Sequence, residues 1–390
     1  MNQREDRLAW LTMFLLLLAA TLCFAQETVS PRTGSNRGAE RWAEGSIEDA
    51  LDQSAAGATI PMSHYTFTGP RGAFKGVLVG GNPFGNPNPV TIDAVFIPLI
   101  IYIQRADGTL ATFDPTEPDS CDPGGFSAEY RFRHSPLVVA SDLAFNTVRV
   151  GTAQYIDGFN RAEFWNSTGG SPSYSNPIHW SFAAAASYVP QLLDTTVAIT
   201  DGTGCSETGI IAQGIFGSFM KGVMIPYLQS TGVISPTKFA FFLTKNVVTS
   251  HSNPPVPSGI FGGEHYATGS PVQTWARAAY NIGSDVKTAS HEIGEWMNDP
   301  LVNNSTPPWG DEGEVKAGSC GTKLEVGDPL NGRDAPLITL GGYPYHVQEL
   351  AFFSWFFDVP GDTSLGAGGK FSSNGEFSGP SKACPPGGTN

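Results

Sequence analysis

An apolar, β-branched stretch, "TIDAVFIPLIIYIQ" at residues 91–104, constrains the fold of this chain more than any other segment. It is bounded by the turn-forming sequences "GNPNP" and "ADG", which is typical of a buried strand between turns. The composition favours the same kind of structure, because charged residues make up only 15% of the chain while 46 glycines and 30 prolines indicate many turns and loops. We therefore predict a packed globular protein and not a helical bundle.

The segment from about 207 to 300 predicts how helices and strands alternate around that strand. Apolar residues at steps of three and four predict a helix from 207 to Pro226 or Gly232, and a second helix is expected near 285–299. Strands are predicted between them at "KFAFFLTKNVV", "GIFGGEHYATG" and "VQTWARAAYNI", and earlier in the chain at "PLVVAS", "TVRVGTAQYI" and "TTVAIT". This order predicts an α/β (α+β) fold with a mixed sheet, packed helices and long Gly/Pro-rich loops, in a single domain covering 61–390.

The residues before this domain have a different character. Arg4 and Arg7 precede an apolar run, and Cys23-Phe24-Ala25 resembles a cleavage site, so residues 1–25 are predicted to be a secretory signal peptide, with an uncleaved anchor as the alternative. Residues 26–60 are polar apart from a short helical stretch at "SIEDALDQ" and are predicted to form a propeptide-like arm. The protein is thus expected to be secreted, either extracellular or periplasmic, with no membrane association beyond the signal peptide.

Four cysteines remain after such a cleavage, and an even number in an exported protein predicts two disulfides. Pairing of sequence neighbours, Cys121 with Cys205 and Cys320 with Cys384, is the working choice among the possible connectivities. The formal net charge of -14, without any basic run, argues against nucleic acid and anionic membrane surfaces as partners.

The stretch "SHEIGEWMNDP", residues 290–300, carries the strongest chemical signal. Ser284 predicts a helix N-cap, Asp299-Pro300 predicts the end, and the apolar residues between them fall on one side of the helix. His291 and Glu295 gather on the other side, on consecutive turns, where they could hold one cation between them, with Glu292 beside it. The alternative is the solvated face of an amphipathic helix.

The motif "HEIGE" resembles the HExxH signature of zincin metallopeptidases, and the order helix, strand, edge strand, strand, helix that leads to it is similar to the zincin half-domain. The chain also resembles secreted bacterial proteins that are distantly similar to the plant exordium family, which have a HExxE helix, a following "DP" and a later "EIGD"-like stretch. Here the corresponding segments are Asp299-Pro300 and "EVGDP" at 325–329. "FGGEHYATG" and "YHVQEL" are similar to further segments of those proteins, so the likeness covers about 90–355 through short motifs.

This resemblance implies roles for individual residues. His291 and Glu295 would bind the metal, and Glu292 would be the general base. Because Glu295 replaces a histidine, the site is harder and more anionic than the usual zincin site; zinc is expected, with calcium and manganese as alternatives.

Residues outside the helix are expected to complete the site. Glu325 and Asp328 in "EVGD" are the candidates for further ligands, although Gly327-Asp328-Pro329 also suits a simple turn. His265 or Tyr266 would donate a hydrogen bond to the oxyanion, although a lone histidine is more often structural.

Two classes of function are predicted from these residues. The first is a secreted metal-dependent hydrolase, a zinc metallopeptidase acting on a peptide or protein substrate. The alternative is a non-catalytic extracellular adhesion or cell-wall-binding module with a structural metal site, and a carboxylate-pair glycosidase ranks third. The aromatic run "FFSWFF" at 352–357 would suit a sugar-binding surface but is expected in the core.

Overall fold

The structure is a computed structural model that describes residues 45–85, 87–105, 107–170, 174–188, 207–310, 320–331, 333–357, 370–381 and 384, and the backbone alone of 198–201. The predicted signal peptide and the first part of the predicted arm, 26–44, lie outside these residues. Within them, no helix has the length and apolar character needed to cross a membrane.

The described helices are α1 (Ile47–Ala55), α2 (Ala128–Arg133), α3 (Tyr155–Glu163), α4 (Gln213–Phe219), α5 (Ile225–Ser230), α6 (Lys287–Asn298) and α7 (Phe353–Phe357), with a π-helical turn at Met220–Met224 and a 3-10 turn at Asp328–Leu330. The described strands are β1 (Met62–Gly69), β2 (Gly72–Val79), β3 (Ile92–Gln104), β4 (Leu110–Phe113), β5 (Ser141–Phe145), β6 (Val148–Ala153), β7 (Ile178–Phe182), β8 (Ala186–Tyr188), β9 (Ala198–Asp201), β10 (Glu207–Ala212), β11 (Phe239–Lys245), β12 (Val247–Ser250), β13 (Ile260–Phe261), β14 (Gly263–Thr268), β15 (Gln273–Tyr280), β16 (Ser305–Trp309), β17 (Gly321–Lys323), β18 (Ile338–Leu340) and β19 (Tyr343–Tyr345). The predicted mixed α+β class is confirmed, with strands predominating.

A seven-stranded mixed sheet contains the predicted buried strand as its longest member, β3. β3 runs parallel to β11, β7 and β8 and antiparallel to β4. On the other side of β11 lies the parallel strand β15, and β14 closes this end of the sheet as an antiparallel edge strand. The strand predicted at 91–104 is therefore confirmed, and its buried apolar side chains explain its lack of alternation.

The helix predicted from residue 207 is wrong in its first part. Residues Glu207–Ala212 form β10, which pairs with the parallel strand β12, and helix begins only at Gln213. Ile210 and Ile211 are both buried, so their adjacent positions match a doubly covered strand as well as a helix. The helical segment then continues past Pro226 to Ser230, with the π-helical turn Met220–Met224 directly before α5.

Other strand predictions have mixed outcomes. "PLVVAS" is wrong, since its residues form turns and β5 begins only at Ser141. "TVRVGTAQYI" contains β6 but ends in the first residues of α3. "TTVAIT" overlaps β9, and the remainder lies outside the described residues.

Aromatic side chains fill the core around α6 and α7. Trp296 of α6 stacks on Phe239 of β11 with ring centroids 3.6 Å apart. Phe353 of α7 packs edge-on against Tyr65 and Phe67. The run "FFSWFF" is therefore core, as expected, and is not an exposed sugar-binding surface.

The described part of the predicted arm, 45–60, packs against the body of the protein. Ser46 caps α1 with a capping box, Ala50 and Ile60 are buried, and Gln53 Oε1 accepts a hydrogen bond from the backbone N–H of Val272. The predicted helix at "SIEDALDQ" is confirmed. Its apolar face is short, with Ala50 buried and Ile47 and Leu51 partly buried, which is why composition alone suggested an arm without core contacts.

The predicted disulfide between Cys320 and Cys384 is confirmed. Cys121 is also disulfide-bonded. Cys205 lies outside the described residues, so its pairing with Cys121 stays a prediction.

Candidate metal centre

An aspartate lies just outside each end of α6. The helix begins at Lys287 with Val286 at the N-cap, so the predicted cap at Ser284 is wrong. Asp285 accepts hydrogen bonds from the backbone N–H groups of Val286 and His346, which fixes the chain before the helix without capping its first turn. At the other end, Asp299 Oδ1 accepts from the N–H groups of Asn303 and Asn304 at 2.8 and 2.9 Å, which ends the helix as predicted.

The polar side of α6 is buried. His291, Glu292 and Glu295 are 8%, 5% and 4% exposed, so they do not form the solvated helix face that was the alternative. Buried ionisable groups need partners of opposite charge or a bound ion. The side of α6 that carries "HEIGE" is therefore an internal polar site.

Edge strand β14 contributes a second histidine to this site. His265 Nδ1 lies 3.7 Å from Glu292 Oε2 and 3.6 Å from Glu295 Oε2. Side chains alternate along a strand, and Tyr266 accordingly lies on the other face, where its hydroxyl donates to Glu264. Of the two residues predicted to assist from this strand, only His265 reaches the site.

His291 faces three carboxylates through one ring nitrogen. Its Nε2 lies 3.0 Å from Glu295 Oε1, 3.6 Å from Asp328 Oδ1 and 4.0 Å from Glu292 Oε1. Asp328 begins the 3-10 turn and its side chain is 48% exposed, so it forms the most open side of the site. Asp328 is thus both a turn residue and a neighbour of His291, which combines the two interpretations of "EVGD".

The other predicted ligand in "EVGD" lies on the opposite side of His265. Glu325 Oε2 is 3.7 Å from His265 Nε2, whereas Glu292 and Glu295 face Nδ1. This oxygen is buried and has no hydrogen-bond partner among the residues that the structure describes. The structure therefore brings Glu325 to His265 and Asp328 to His291.

Gln348 orients His291, a role that the sequence did not suggest although "YHVQEL" had drawn attention to the segment. Its Oε1 lies 3.0 Å from His291 Nδ1, and its Nε2 donates to the carbonyl of Gly327 at 2.6 Å, which sets the direction of the amide. Its backbone N–H also donates to Ser290 Oγ. An acceptor at Nδ1 leaves Nε2 available to bind a metal, as outer partners of metal-bound histidines usually do.

His265 is held in a similar way. Its Nε2 lies 3.2 Å from the backbone carbonyl of Asp299, and the residue is only 2% exposed. Both ring nitrogens face protein groups. This geometry does not support the predicted role of His265 as an oxyanion donor to a substrate.

Buried charge perturbs every group of the centre. Burial by itself lowers the pKa of both histidines, but the surrounding carboxylates outweigh it and raise each well above the usual value. Burial raises the pKa of Glu292 and, strongly, that of Glu325. Burial opposes ionisation of Glu295 too, yet the positive charge of His291 and hydrogen bonds from both histidines lower its pKa to about 2.

The donor set fits a divalent cation. Two groups of side chains each offer three ligand atoms within 4.8 Å of one another: His291, Glu295 and Asp328, and His265, Glu292 and Glu295. One imidazole and two carboxylates suit zinc and also harder ions such as manganese.

Two glycines let the backbone approach these ligands closely. A Cβ atom at Gly327 would lie 2.5 Å from His291 Nδ1, and one at Gly263 would lie 2.5 Å from Glu292 Cγ. Any larger residue at either position would displace a ligand side chain or the backbone beside it.

Comparison of this chain with protein-family models, with curated proteins and with solved structures found no match. Its function is therefore argued from its own residues.

Proposed function

We propose that this protein is a metal-dependent hydrolase, with zinc held by His291, Glu295 and Asp328 and with Glu292 as the general base. The observation that carries the proposal is the position of Glu292, whose Oε1 lies 4.0 Å from His291 Nε2 without occupying the exposed side that Asp328 forms. A base beside the ligands and a side of the site that solvent can reach are what hydrolysis by a metal centre requires.

When bound, the cation would polarise the scissile carbonyl and lower the pKa of water. Glu292 would accept the proton of the attacking water and return it to the leaving amine. Burial raises the pKa of the Glu292 carboxyl, which brings it nearer to neutrality and suits a group that must both accept and donate a proton. Gln348 would keep His291 in the tautomer that presents Nε2 to the ion.

A peptide bond is the proposed target because of the resemblance to zincin metallopeptidases. The antiparallel edge strand β14, the next strand β15 and then α6 follow the order on which the resemblance to the zincin half-domain was based. With that resemblance, the proposal extends to a zincin-like metallopeptidase that acts on a peptide or protein outside the cytoplasm, as the signal-like N-terminus suggests.

The second candidate function is an extracellular adhesion or cell-wall-binding module with a structural metal. The burial of His265, Glu292 and Glu295 favours it, because closed sites of protein ligands are typical of structural metals. In that case the metal would raise the melting temperature, and the protein would cleave no substrate.

Glu292→Gln tests the proposal, with Glu376→Gln, at a partly exposed glutamate outside the centre, as the matched control. Turnover of a quenched-fluorescent peptide library should fall by roughly 10²–10⁴-fold in Glu292→Gln and stay unchanged in the control. Elemental mass spectrometry should find the ion held by His291 still bound. Equal turnover in both variants would refute Glu292 as the base, and a wild-type protein that binds metal but cleaves nothing would favour the structural module.

A further inference from the structure

Glu292 and Glu295 each present one oxygen to each of the two histidines. Glu295 directs Oε1 to His291 Nε2 at 3.0 Å and Oε2 to His265 Nδ1 at 3.6 Å. Glu292 does the same at longer range, with Oε1 4.0 Å from His291 Nε2 and Oε2 3.7 Å from His265 Nδ1. A single ion at His291 uses only one side of this arrangement, so the oxygens that face His265 need another explanation.

The outer hydrogen bonds leave both histidines with a ring nitrogen directed at carboxylates. A carbonyl oxygen only accepts, so the contact of His265 Nε2 with the carbonyl of Asp299 places a proton on Nε2. In the neutral ring, Nδ1 then carries a lone pair that faces the carboxylates of Glu292 and Glu295. In this tautomer the Nδ1 lone pair and the carboxylate oxygens can all ligate one cation, and the same holds for His291 Nε2.

The carboxylates of the centre can serve more than one ion. Glu292, Glu295, Glu325 and Asp328 all face the two histidines. One ion at His291 would leave the oxygens directed at His265 for a second ion. In addition, Glu325 Oε2 and Asp299 Oδ2 are buried and make no hydrogen bond within the described residues, so polar groups beside the centre still lack a partner there.

We propose that the centre binds a second divalent cation, held by His265 Nδ1, Glu292 Oε2 and Glu295 Oε2, with Glu295 bridging the two ions. The inference rests on the proposed function, because it takes the ion at His291 as the first of the pair. His265 becomes a metal ligand, with the Asp299 carbonyl and Glu325 as its outer partners. Glu292 keeps Oε1 on the side of His291, where the proposed base is needed.

Metal stoichiometry tests the second ion independently of any activity. The full-length wild type, His265→Gln and His291→Gln are equilibrated with Zn²⁺, freed of unbound ion by gel filtration and measured by elemental mass spectrometry. His179→Gln is the control, because His179 is an exposed histidine on β7 outside the centre. About two ions per chain are expected in the wild type and the control, and about one in each of the other variants.

A measurement on the wild type alone guards against misfolding of the variants. Mn²⁺ is added stepwise to the metal-free chain and followed by electron paramagnetic resonance. The first equivalent should give the hyperfine-split signal of an isolated ion, and the second should weaken it, because a carboxylate bridge couples the two spins. Two bound ions with an uncoupled signal would overturn the bridging arrangement.

The possible failures separate the two proposals. One ion in the wild type, lost in His291→Gln but kept in His265→Gln, would overturn the second site and leave the proposed function intact. Two ions retained in a folded His265→Gln variant would also overturn it. No ion in the wild type would overturn both proposals.

Discussion

Gly327 offers a precise way to disturb the metal centre without touching a ligand. Its backbone N–H donates to Glu295 Oε1 at 3.2 Å, and its carbonyl accepts from Gln348 Nε2. The backbone has φ -87° and ψ -36°, a conformation open to any residue, so alanine causes no backbone strain there. The added Cβ would nevertheless lie 2.5 Å from His291 Nδ1, where ordinary contacts begin at 3.4 Å.

Gly327→Ala should therefore push the His291 ring by roughly 0.9 Å or shift the turn away from it, in either case beyond the ~0.5 Å tolerance of a metal site. We expect zinc affinity to fall about 10–100-fold, equivalent to about 1.4–2.8 kcal/mol. The metal-free protein should lose about 1–3 kcal/mol of unfolding free energy through overpacking.

Competition with a chromophoric chelator measures the affinity, and chemical denaturation measures the stability. Gly217→Ala in α4 is the matched control, because the Cβ it would add meets no described atom within 4 Å beyond its chain neighbours and its own helix backbone. This control should keep wild-type affinity and gain about 0.5–1 kcal/mol of stability from its helical position. Unchanged zinc affinity in Gly327→Ala would refute the role of the His291 ring as a ligand held in place by this turn.

Two further predictions concern stability. Cys384→Ser opens a disulfide whose cysteines are 64 residues apart, and it should cost about 2–4 kcal/mol in urea denaturation without reductant; equal stability of variant and wild type would contradict this. Asp122 is buried, which opposes ionisation, but hydrogen bonds from Arg131 and from backbone N–H groups lower its pKa below the usual value. The stabilisation by ionised Asp122 is thus present above the unfolded pKa of about 3.9 and is lost as pH falls through the lower folded value. Asp122→Asn should therefore lower the unfolding free energy by about 3–5 kcal/mol near neutrality, and by less below about pH 4, as measured by chemical denaturation. A loss of unfolding free energy that does not depend on pH would refute this prediction.

Short stretches of sequence correctly predicted those helices and strands whose formation depends on neighbouring residues in the chain. β3 followed from one apolar stretch between turns, and α6 followed from its apolar spacing and its terminal Asp299-Pro300. The start of the helix at 207 was predicted wrongly, because Ile210 and Ile211 are buried in a sheet whose partner strand, β12, comes more than thirty residues later. No local pattern contains that pairing.

In the candidate site, too, the sequence predicted local features but not those that depend on distant segments. The i,i+4 spacing placed His291 and Glu295 on one side of α6, and the structure brings them to 3.0 Å. The burial of that side could not be predicted, since it depends on β14 and on the turn at Gly327. Gln348 was missed for the same reason: a glutamine acquires its role from the histidine it meets, 57 residues away in sequence.

The separation of Gln348 from His291 in the sequence determines when the complete metal centre can form during synthesis. His265, the HEIGE helix, Asp328 and Gln348 leave the ribosome in this order, so the amide that orients His291 is the last of these groups to emerge. Until Gln348 has emerged, the nascent chain contains metal-binding groups without a defined site. A chain that extends at least to Gln348 is therefore the earliest species able to select an ion by geometry, and ions acquired before that point would be chosen by availability alone.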